Sequence, residues 1–565
     1  MYAFQELKAQ AIKAVEQALG EKILPSDVSM PPSQELGDLS IALFRIAKEK
    51  KENPAELAEK AASMIKPNGL MAKAEAKGPY LNFFADYSSF SEKVIKQAQE
   101  EKYGSTGKGT GKKVVMDYSH PNICKPLHVG HLPSTVLGES IKRILKHHSY
   151  DVFAVNHLGD WGLQFGKLIL AYKLWGNEQE FKKDPLKHLT ELYVKFHEEE
   201  EKQPELKEKA EEILSSLEKG DKELLSLWEK FREESIKEFN EMYSILGVSF
   251  DSYKGEAYYV LSGKAKEVIK EALEKGIAVE EKPGTVIVPL EDYGLTNARL
   301  VENNRTLYIT RDIAAAIDRY EEHNFSKMLY VVSSAQSLHF QQLFKTLELM
   351  GYKWSKNCEH VKFGTVLLEG KKMSTRKGQF VPLSEVIEKT KQAAEETIKE
   401  KNPGLVKKEE TALQIALTAL KFSMLSMNRE KDKKFHLEKI TSFEGDTGPY
   451  VQYSHVRCNG IIKNTHADGE PDYSKLTSVH EKQLVKQLSL FPGIVEKAEQ
   501  ELDPHVIAQY LLKLCHLFSA FYENCPVANV EDQSLKAARL ELVKAVKNTL
   551  AVGMKLLTIT PLEEM

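Results

Sequence analysis

The stretch Val114-Val-Met-Asp-Tyr-Ser-His-Pro-Asn-Ile-Cys-Lys-Pro-Leu-His-Val-Gly-His131 decides how the chain is read. Val114 to Tyr118 has the β-branched and aromatic content of a strand. A Pro/Asn turn and then a helix follow. A second strand, Asp151-Val-Phe-Ala-Val155, ends at Asn156-His-Leu-Gly-Asp160. Strand, helix and strand at this spacing predict a parallel βαβ unit, which binds ligands at the carboxyl ends of its strands. His128 and His131 open the intervening helix and share one face of it. Helix N-termini offer free N–H groups and a positive dipole end, so they receive phosphates. Two imidazoles there can donate to a triphosphate, and Lys125 adds a cation one turn earlier. Gly130 has no side chain, so a flat base can approach the backbone. Taken alone, His-x-Gly-His is a short pattern, and a strand–helix corner with two surface histidines accounts for it as well.

Upstream, apolar residues recur at helical spacing from Phe4 to Leu19, Leu39 to Ile46 and Leu57 to Ile65. Tyr80-Leu-Asn-Phe-Phe84 reads as a strand, which makes residues 1–105 a small α/β module. Gly104-Ser-Thr-Gly-Lys-Gly-Thr-Gly111 reads as a linker; it fails the phosphate-loop pattern because Thr110 stands where lysine is required. Downstream, residues from about 176 to 247 are highly charged, with helical periodicity through Leu214, Leu217, Leu224 and Trp228. They read as a helical insertion whose acid runs, such as Glu198-Glu-Glu-Glu201, are solvated faces. The α/β pattern resumes with expected strands at Leu307–Thr310 and Met328–Val332. From about 385 onward the pattern is almost wholly helical.

At 565 residues the chain exceeds a single hydrophobic core. With 42% apolar and 28% charged residues it has an ordinary globular composition. A formal net charge of −4 gives no hint of a polyanion partner, so any basic surface must be local. The five cysteines, Cys124, Cys358, Cys458, Cys515 and Cys525, include no CxxC pair. That disfavours a disulfide framework or a thiolate zinc site and suits the cytoplasm. No apolar run is long enough to span a membrane, and the N-terminus is not patterned for secretion.

Far along the chain lies Lys371-Lys-Met-Ser-Thr-Arg-Lys-Gly378, a basic loop ending in glycine. Alone it is a solvated charge run. Paired with His-x-Gly-His it forms the signature of the class I aminoacyl-tRNA synthetases. A mobile cationic loop can clamp pyrophosphate as charge builds on that leaving group. More specific are Asn156-His-Leu-Gly-Asp-Trp-Gly-Leu-Gln-Phe-Gly166, Tyr308-Ile-Thr-Arg-Asp-Ile-Ala-Ala-Ala-Ile-Asp-Arg-Tyr320 and Asp446-Thr-Gly-Pro-Tyr-Val-Gln-Tyr-Ser-His-Val-Arg457. With Asp117 to His131, these segments resemble the arginyl-tRNA synthetases over essentially the whole length of the chain.

The resemblance implies a multidomain α/β protein. Its parts are an N-terminal additional domain contacting the tRNA elbow (1–105) and a Rossmann-type parallel-sheet catalytic domain (112–385). A helical stem-contact region (386–445) and a C-terminal all-α anticodon-binding bundle (446–565) complete it. It implies catalytic roles for Lys125, His128, His131 and Lys372, and ATP contacts from His128, Gly130, His131, Lys372, Met373 and Ser374. Thr375 replaces the second lysine usual in such loops, and Lys125 is placed to compensate. Pro133 stands where the family usually has arginine.

A planar cation with five donors needs carboxylates and planar acceptors around it. By resemblance Asp117, Tyr308 and Asp312 surround the guanidinium, and Asn122 and Gln336 hold the main-chain end of the amino acid; Glu256 is a further candidate acid. A structural cap or buried hydrogen bond is the competing reading for each. Tyr450, Tyr453 and Arg457 fall on one helix face suited to stacking bases and neutralising phosphate. Without the resemblance such a stripe at helical spacing is more often core than a base platform. His436 and the lysines from Lys431 to Lys434 either border the tRNA stem or form a solvated run.

The expected partners are tRNA(Arg), L-arginine and ATP with Mg2+, on a monomer with no dedicated all-protein metal site. Two rivals remain: an adenylyltransferase acting on a small metabolite, and an RNA-binding paralogue without chemistry. The first leaves both flanking domains unexplained. The second has only Pro133 in its favour.

Overall fold

The computed structural model describes residues 1–368, 381–435 and 445–565, the side chains of Gln34, 366–368 and 433–435 apart. Residues 3–98 form the N-terminal unit. A four-stranded antiparallel sheet, in the order Val28–Ser29, Leu39–Ala42, Tyr80–Ala85, Met71–Lys77, packs against helices Ala3–Leu19, Phe44–Lys50, Pro54–Met64 and Tyr87–Ala98. The helix expected from Leu39 to Ile46 is therefore a strand followed by a helix that starts only at Phe44. Leu39, Ser40 and Ile41 are all buried, so both strand faces are covered and the run lacks the alternation that marks a strand. Gly37 precedes it with φ +111°, and a Cβ there would lie 2.8 Å from the Phe83 carbonyl oxygen. The Asp38 carboxylate accepts from Ala85 N–H and the Tyr87 hydroxyl and pairs with Lys486 of the C-terminal bundle.

The central sheet is parallel. Its strands are β1 (Lys113–Asp117), β2 (Asp151–Val155), β3 (Lys327–Tyr330) and β4 (Cys358–His360), in the order β4-β3-β1-β2. Because β1 pairs with both β2 and β3, the strand order reverses beside it. The crevice beyond the carboxyl ends of β1 and β3 is thus the expected ligand site. Helix α1 (Leu132–His147) links β1 to β2 and accommodates Pro133 in its first turn, where a missing N–H is tolerated.

The insertion is helical as expected, ending in α2 (Lys222–Leu246). Beyond it, Val279–Lys282, Thr285–Val288, Ala298–Glu302 and Arg305–Thr306 form an antiparallel sheet. Helix α3 (Tyr308–His323) follows directly, so the strand expected at Leu307–Thr310 is a helix start. Ile309 and Thr310 favour strands, but the Thr310 hydroxyl donates to the Leu300 carbonyl and the run Ala314-Ala-Ala316 propagates a helix. Helix α4 (Ser337–Leu349) joins β3 to β4.

The C-terminal part is a helical bundle: Leu383–Lys401, Lys408–Leu425, α5 (Gly448–Asn464), Val479–Glu501, α6 (His505–Asn524) and Gln533–Leu556. It meets the catalytic unit through Ser140, whose hydroxyl donates to the Leu556 carbonyl, and the preceding segment through Tyr103, which donates to Leu488.

Candidate active site and nucleic-acid interface

The turn between β1 and α1 is unusual backbone. Ser119, His120 and Cys124 all have positive φ, a conformation that costs energy in non-glycine residues and gathers at working sites. His128 and His131 then close a reciprocal pair. His128 Nδ1 accepts from Gly130 N–H at 3.1 Å, and His131 Nδ1 accepts from His128 N–H at 3.2 Å. With Nδ1 accepting in both rings, the neutral proton sits on Nε2, and the two ring centroids lie 3.9 Å apart with the rings tilted by 32°, each ring keeping one donor. Burial and the charge of Lys125 push the His128 pKa down to about 4; burial, helped by His128, His120 and Lys125, also drives His131 well below the ordinary value. At neutral pH the pair therefore offers hydrogen bonds rather than charge. The Lys125 ammonium lies 4.3 Å from the Tyr193 ring of the insertion.

Lys372, Met373 and Ser374 lie outside the described residues, as do Lys371 and His436. The first described residues after them meet the histidine turn: Val129 N–H donates to Val381 O, Leu383 N–H donates to Leu127 O, and His128 bridges Pro382. The described residues that follow the second half of the signature thus lie against the first half.

The residues expected to form the amino-acid pocket centre on α3. Tyr308 is the first residue of the helix and 54% exposed, while Asp312 lies one turn on with its side chain 25% exposed. One Asp312 oxygen accepts from His339 Nε2 at 2.7 Å, and the other lies 3.5 Å from His157 Nε2. Burial pushes the Asp312 carboxyl up, but the bond and charge of His339 and the charge of His157 outweigh it and hold the pKa below the ordinary value. Asn122 and Gln336 are exposed at the same carboxyl-end rim, after β1 and β3 respectively.

Asp117 is placed at the end of β1, yet the guanidinium it meets is the protein's own. Arg319 of α3 pairs with one oxygen at 2.9 Å, both side chains only 4% exposed, and His120 Nε2 and His157 N–H approach the other. Burial raises the Asp117 pKa, and the charges of Arg319, His120 and His157 more than reverse that, holding it far below the carboxylate range. Glu256 is paired with Arg311; burial, partly offset by Arg311, lifts its pKa to about 7.

His120, His157, Arg319 and His339 were not anticipated from sequence. His120, His157 and Arg319 lie within the quoted motifs but carried no assigned role there, and His339 follows Gln336 by three residues. Asp160, by contrast, has a framework role: it caps Ala257 N–H and pairs with Arg232 of α2.

On the bundle, Tyr450, Tyr453 and Arg457 line one face of α5. The Arg457 guanidinium lies 5.0 Å from the rings of both Tyr453 and Tyr522. A cavity of about 640 Å³ lies on one side of this cluster, lined by Lys401, Tyr450, Tyr453, Arg457 and His516 among others. A second, of about 790 Å³, lies on the other side toward Asn464 and Tyr522. His516, Ser519 and Tyr522 recur at three-residue spacing on α6, a signal that the sequence itself carries.

Residues 94–437 match the family described as "tRNA synthetases class I (R), catalytic domain". Residues 451–565 match the DALR anticodon binding domain, and residues 5–85 the arginyl tRNA synthetase N terminal domain. The chain is 43% identical over 544 residues to an arginine–tRNA ligase of Clostridium perfringens, covering 95% of this chain and 96% of that one. It is 40% identical over 570 residues to an arginine–tRNA ligase of Alkaliphilus metalliredigens, covering all of both. Among solved structures it is similar to Thermus thermophilus arginyl-tRNA synthetase, with TM-score 0.82 and 28% identity over 98% of this chain and 99% of that one.

Proposed function

The chain belongs to the arginyl-tRNA synthetases, and from that premise we propose how its cleft is divided among the substrates. It is an ATP-dependent class I ligase that attaches L-arginine to tRNA through an arginyl-adenylate. The arginine carboxylate attacks the α-phosphorus of ATP in line. An O–P bond forms, the bond to the bridging oxygen breaks, and pyrophosphate leaves. A terminal ribose hydroxyl of tRNA then takes the arginyl group and releases AMP. The protein supplies position and charge stabilisation.

In our assignment His128 and His131 donate to ATP phosphates, Gly130 admits the adenine ring, and Lys125 balances charge as pyrophosphate departs. Lys372, Met373 and Ser374 complete the ATP site. The observation that carries the arginine pocket is the exposed Tyr308 with the partly buried Asp312 one turn on along α3. These two receive the guanidinium, while Asn122 and Gln336 receive the main-chain end. Asp117, engaged by Arg319, serves as the anchor of the pocket floor. Among the described residues no cluster of three His, Cys, Asp or Glu side chains could hold a metal. In our assignment Mg2+ enters with ATP.

We assign residues 1–105 to the tRNA elbow, 112–385 to catalysis, 386–445 to the stem and 446–565 to the anticodon. Tyr450, Tyr453 and Arg457 are the proposed anticodon contacts. One chain carries both the cleft and this face, as a monomer requires. Five free cysteines suit a cytoplasmic setting, and no described helix is long and apolar enough to cross a membrane.

Pyrophosphate exchange with tRNA present should require arginine and should not proceed with lysine, whose point charge cannot satisfy a forked pocket. Comparable exchange with lysine would refute the assignment. Tyr453→Ala should weaken tRNA binding by about 1–3 kcal/mol, the worth of one stacked base. Unchanged binding with a sharp fall in melting temperature would make Tyr453 a packing residue instead.

A further inference from the structure

We propose that His339 is a positioning residue for arginine recognition: it fixes the plane of the Asp312 carboxylate and the ring of Tyr308, and so makes the pocket read a fork rather than a point charge. This rests on the assignment of Asp312 and Tyr308 to the guanidinium.

His339 reaches both residues from a different element, as the third residue of α4. Its Nε2 lies 2.7 Å from one Asp312 oxygen, and its ring centroid 4.9 Å from that of Tyr308. It is 8% exposed, whereas both groups it touches keep a free surface. The terminal torsion of an aspartate is broad and two-fold, so a carboxylate without a directional bond samples many planes. His157, 3.5 Å from the other oxygen, is too far to set it. His339 is therefore the one directional restraint on Asp312 among the described residues.

Arginine presents a rigid planar fork and needs its acceptor at a set angle. Lysine carries three rotatable donors and is indifferent to that angle. Releasing Asp312 thus penalises arginine more than lysine. No bond is made or broken by His339 itself.

Two variants of the full chain separate donor from ring. His339→Phe keeps a ring against Tyr308 and removes the donor; His339→Gln places an amide near the position of Nε2 and removes the ring. Charging is measured with tRNA present while arginine, ATP and lysine are titrated in turn. H339F should raise the arginine KM about tenfold, the worth of a hydrogen bond to a charged group, leaving kcat and the ATP KM within about twofold. H339Q should recover most of that loss, and the preference for arginine over lysine should fall only in H339F. An unchanged arginine KM in H339F, or equal rises for arginine and ATP, overturns the inference.

If H339F does not fold, H339Q and H339N decide. Gln mimics Nε2 and Asn mimics Nδ1, so only H339N should raise the arginine KM, and equal behaviour overturns the inference. Asp312→Asn serves as the reference. If it too leaves the arginine KM unchanged, the pocket assignment has failed along with the inference. If it alone raises the KM, only the role of His339 falls.

Discussion

Asp312→Asn weakens arginine binding by roughly two to three and a half orders of magnitude and leaves ATP binding nearly unchanged. The substitution keeps the size of the side chain and one acceptor, and removes the charge. Asp312 is three-quarters buried, and its carboxyl is held ionised by His339 and His157 against the pull of burial. Taking away one partner of a largely desolvated charge pair costs about 3–5 kcal/mol. At about 1.4 kcal/mol per tenfold, that gives the stated range, with the exposed quarter of the side chain favouring its lower end. The nucleotide is assigned to the histidine turn before α1 and not to α3, so its affinity is the internal control. Citrulline, which is uncharged, loses much less than arginine in the same variant. Dissociation constants for arginine, citrulline and ATP, measured with tRNA present, check this. If the arginine constant hardly moves, or the ATP constant moves as much, the α3 pair does not set specificity.

The parts of this site that were legible in the sequence share one property: their geometry is local. The β1 turn and His128–His131 lie within one short segment, and Tyr308 and Asp312 lie one turn apart. Strand and helix periods suffice to place such residues on a face. What surrounds them was not legible, because it is assembled across the sheet. His157 meets Arg319 across 162 residues, and His339 meets Asp312 from the next helix, 27 residues on. No periodicity encodes those meetings. Asp117 shows the consequence. Its place at the end of β1 was readable, but Arg319 as its partner was not, and that partner changes what the carboxylate can do. The antiparallel sheet at residues 279–306 was missed for another reason. Its edge strand, Val279-Glu-Glu-Lys282, is exposed on both faces and so lacks the alternation that marks a half-buried strand. The helix expected at Leu39–Ile46 failed in the opposite sense, through burial on both faces.

Arg319→Met should loosen the floor of the cleft by about 3–5 kcal/mol near pH 7, because it leaves the Asp117 carboxylate buried without its main counter-charge. Both partners are 4% exposed, so solvent screening gives little relief. The loss is local. In a chain of several domains a single unfolding free energy is poorly defined, so amide exchange along β1 and α3 is the proper measurement. The pH dependence gives the sign. In the intact protein the Asp117 pKa is depressed, so its contribution is present above the unfolded carboxyl pKa of about 4 and fades as pH falls through the depressed value. In Arg319→Met burial dominates and the folded pKa lies above the unfolded one. The penalty is then complete at about pH 8 and shrinks toward about pH 5 as Asp117 takes up a proton. His157 reinforces the trend. Burial and the charge of Arg319 together hold its pKa near 4, so removing Arg319 lets it accept a proton and stand in for the lost cation. The exchange gap between variant and parent should therefore be wide at about pH 8 and narrow at about pH 5. Arg319→Lys, which restores charge without the fork that reaches both Asp117 and His157, should fall between them. Equal protection of β1 and α3 in all three proteins at the higher pH would mean that the Asp117–Arg319 pair does not anchor the pocket.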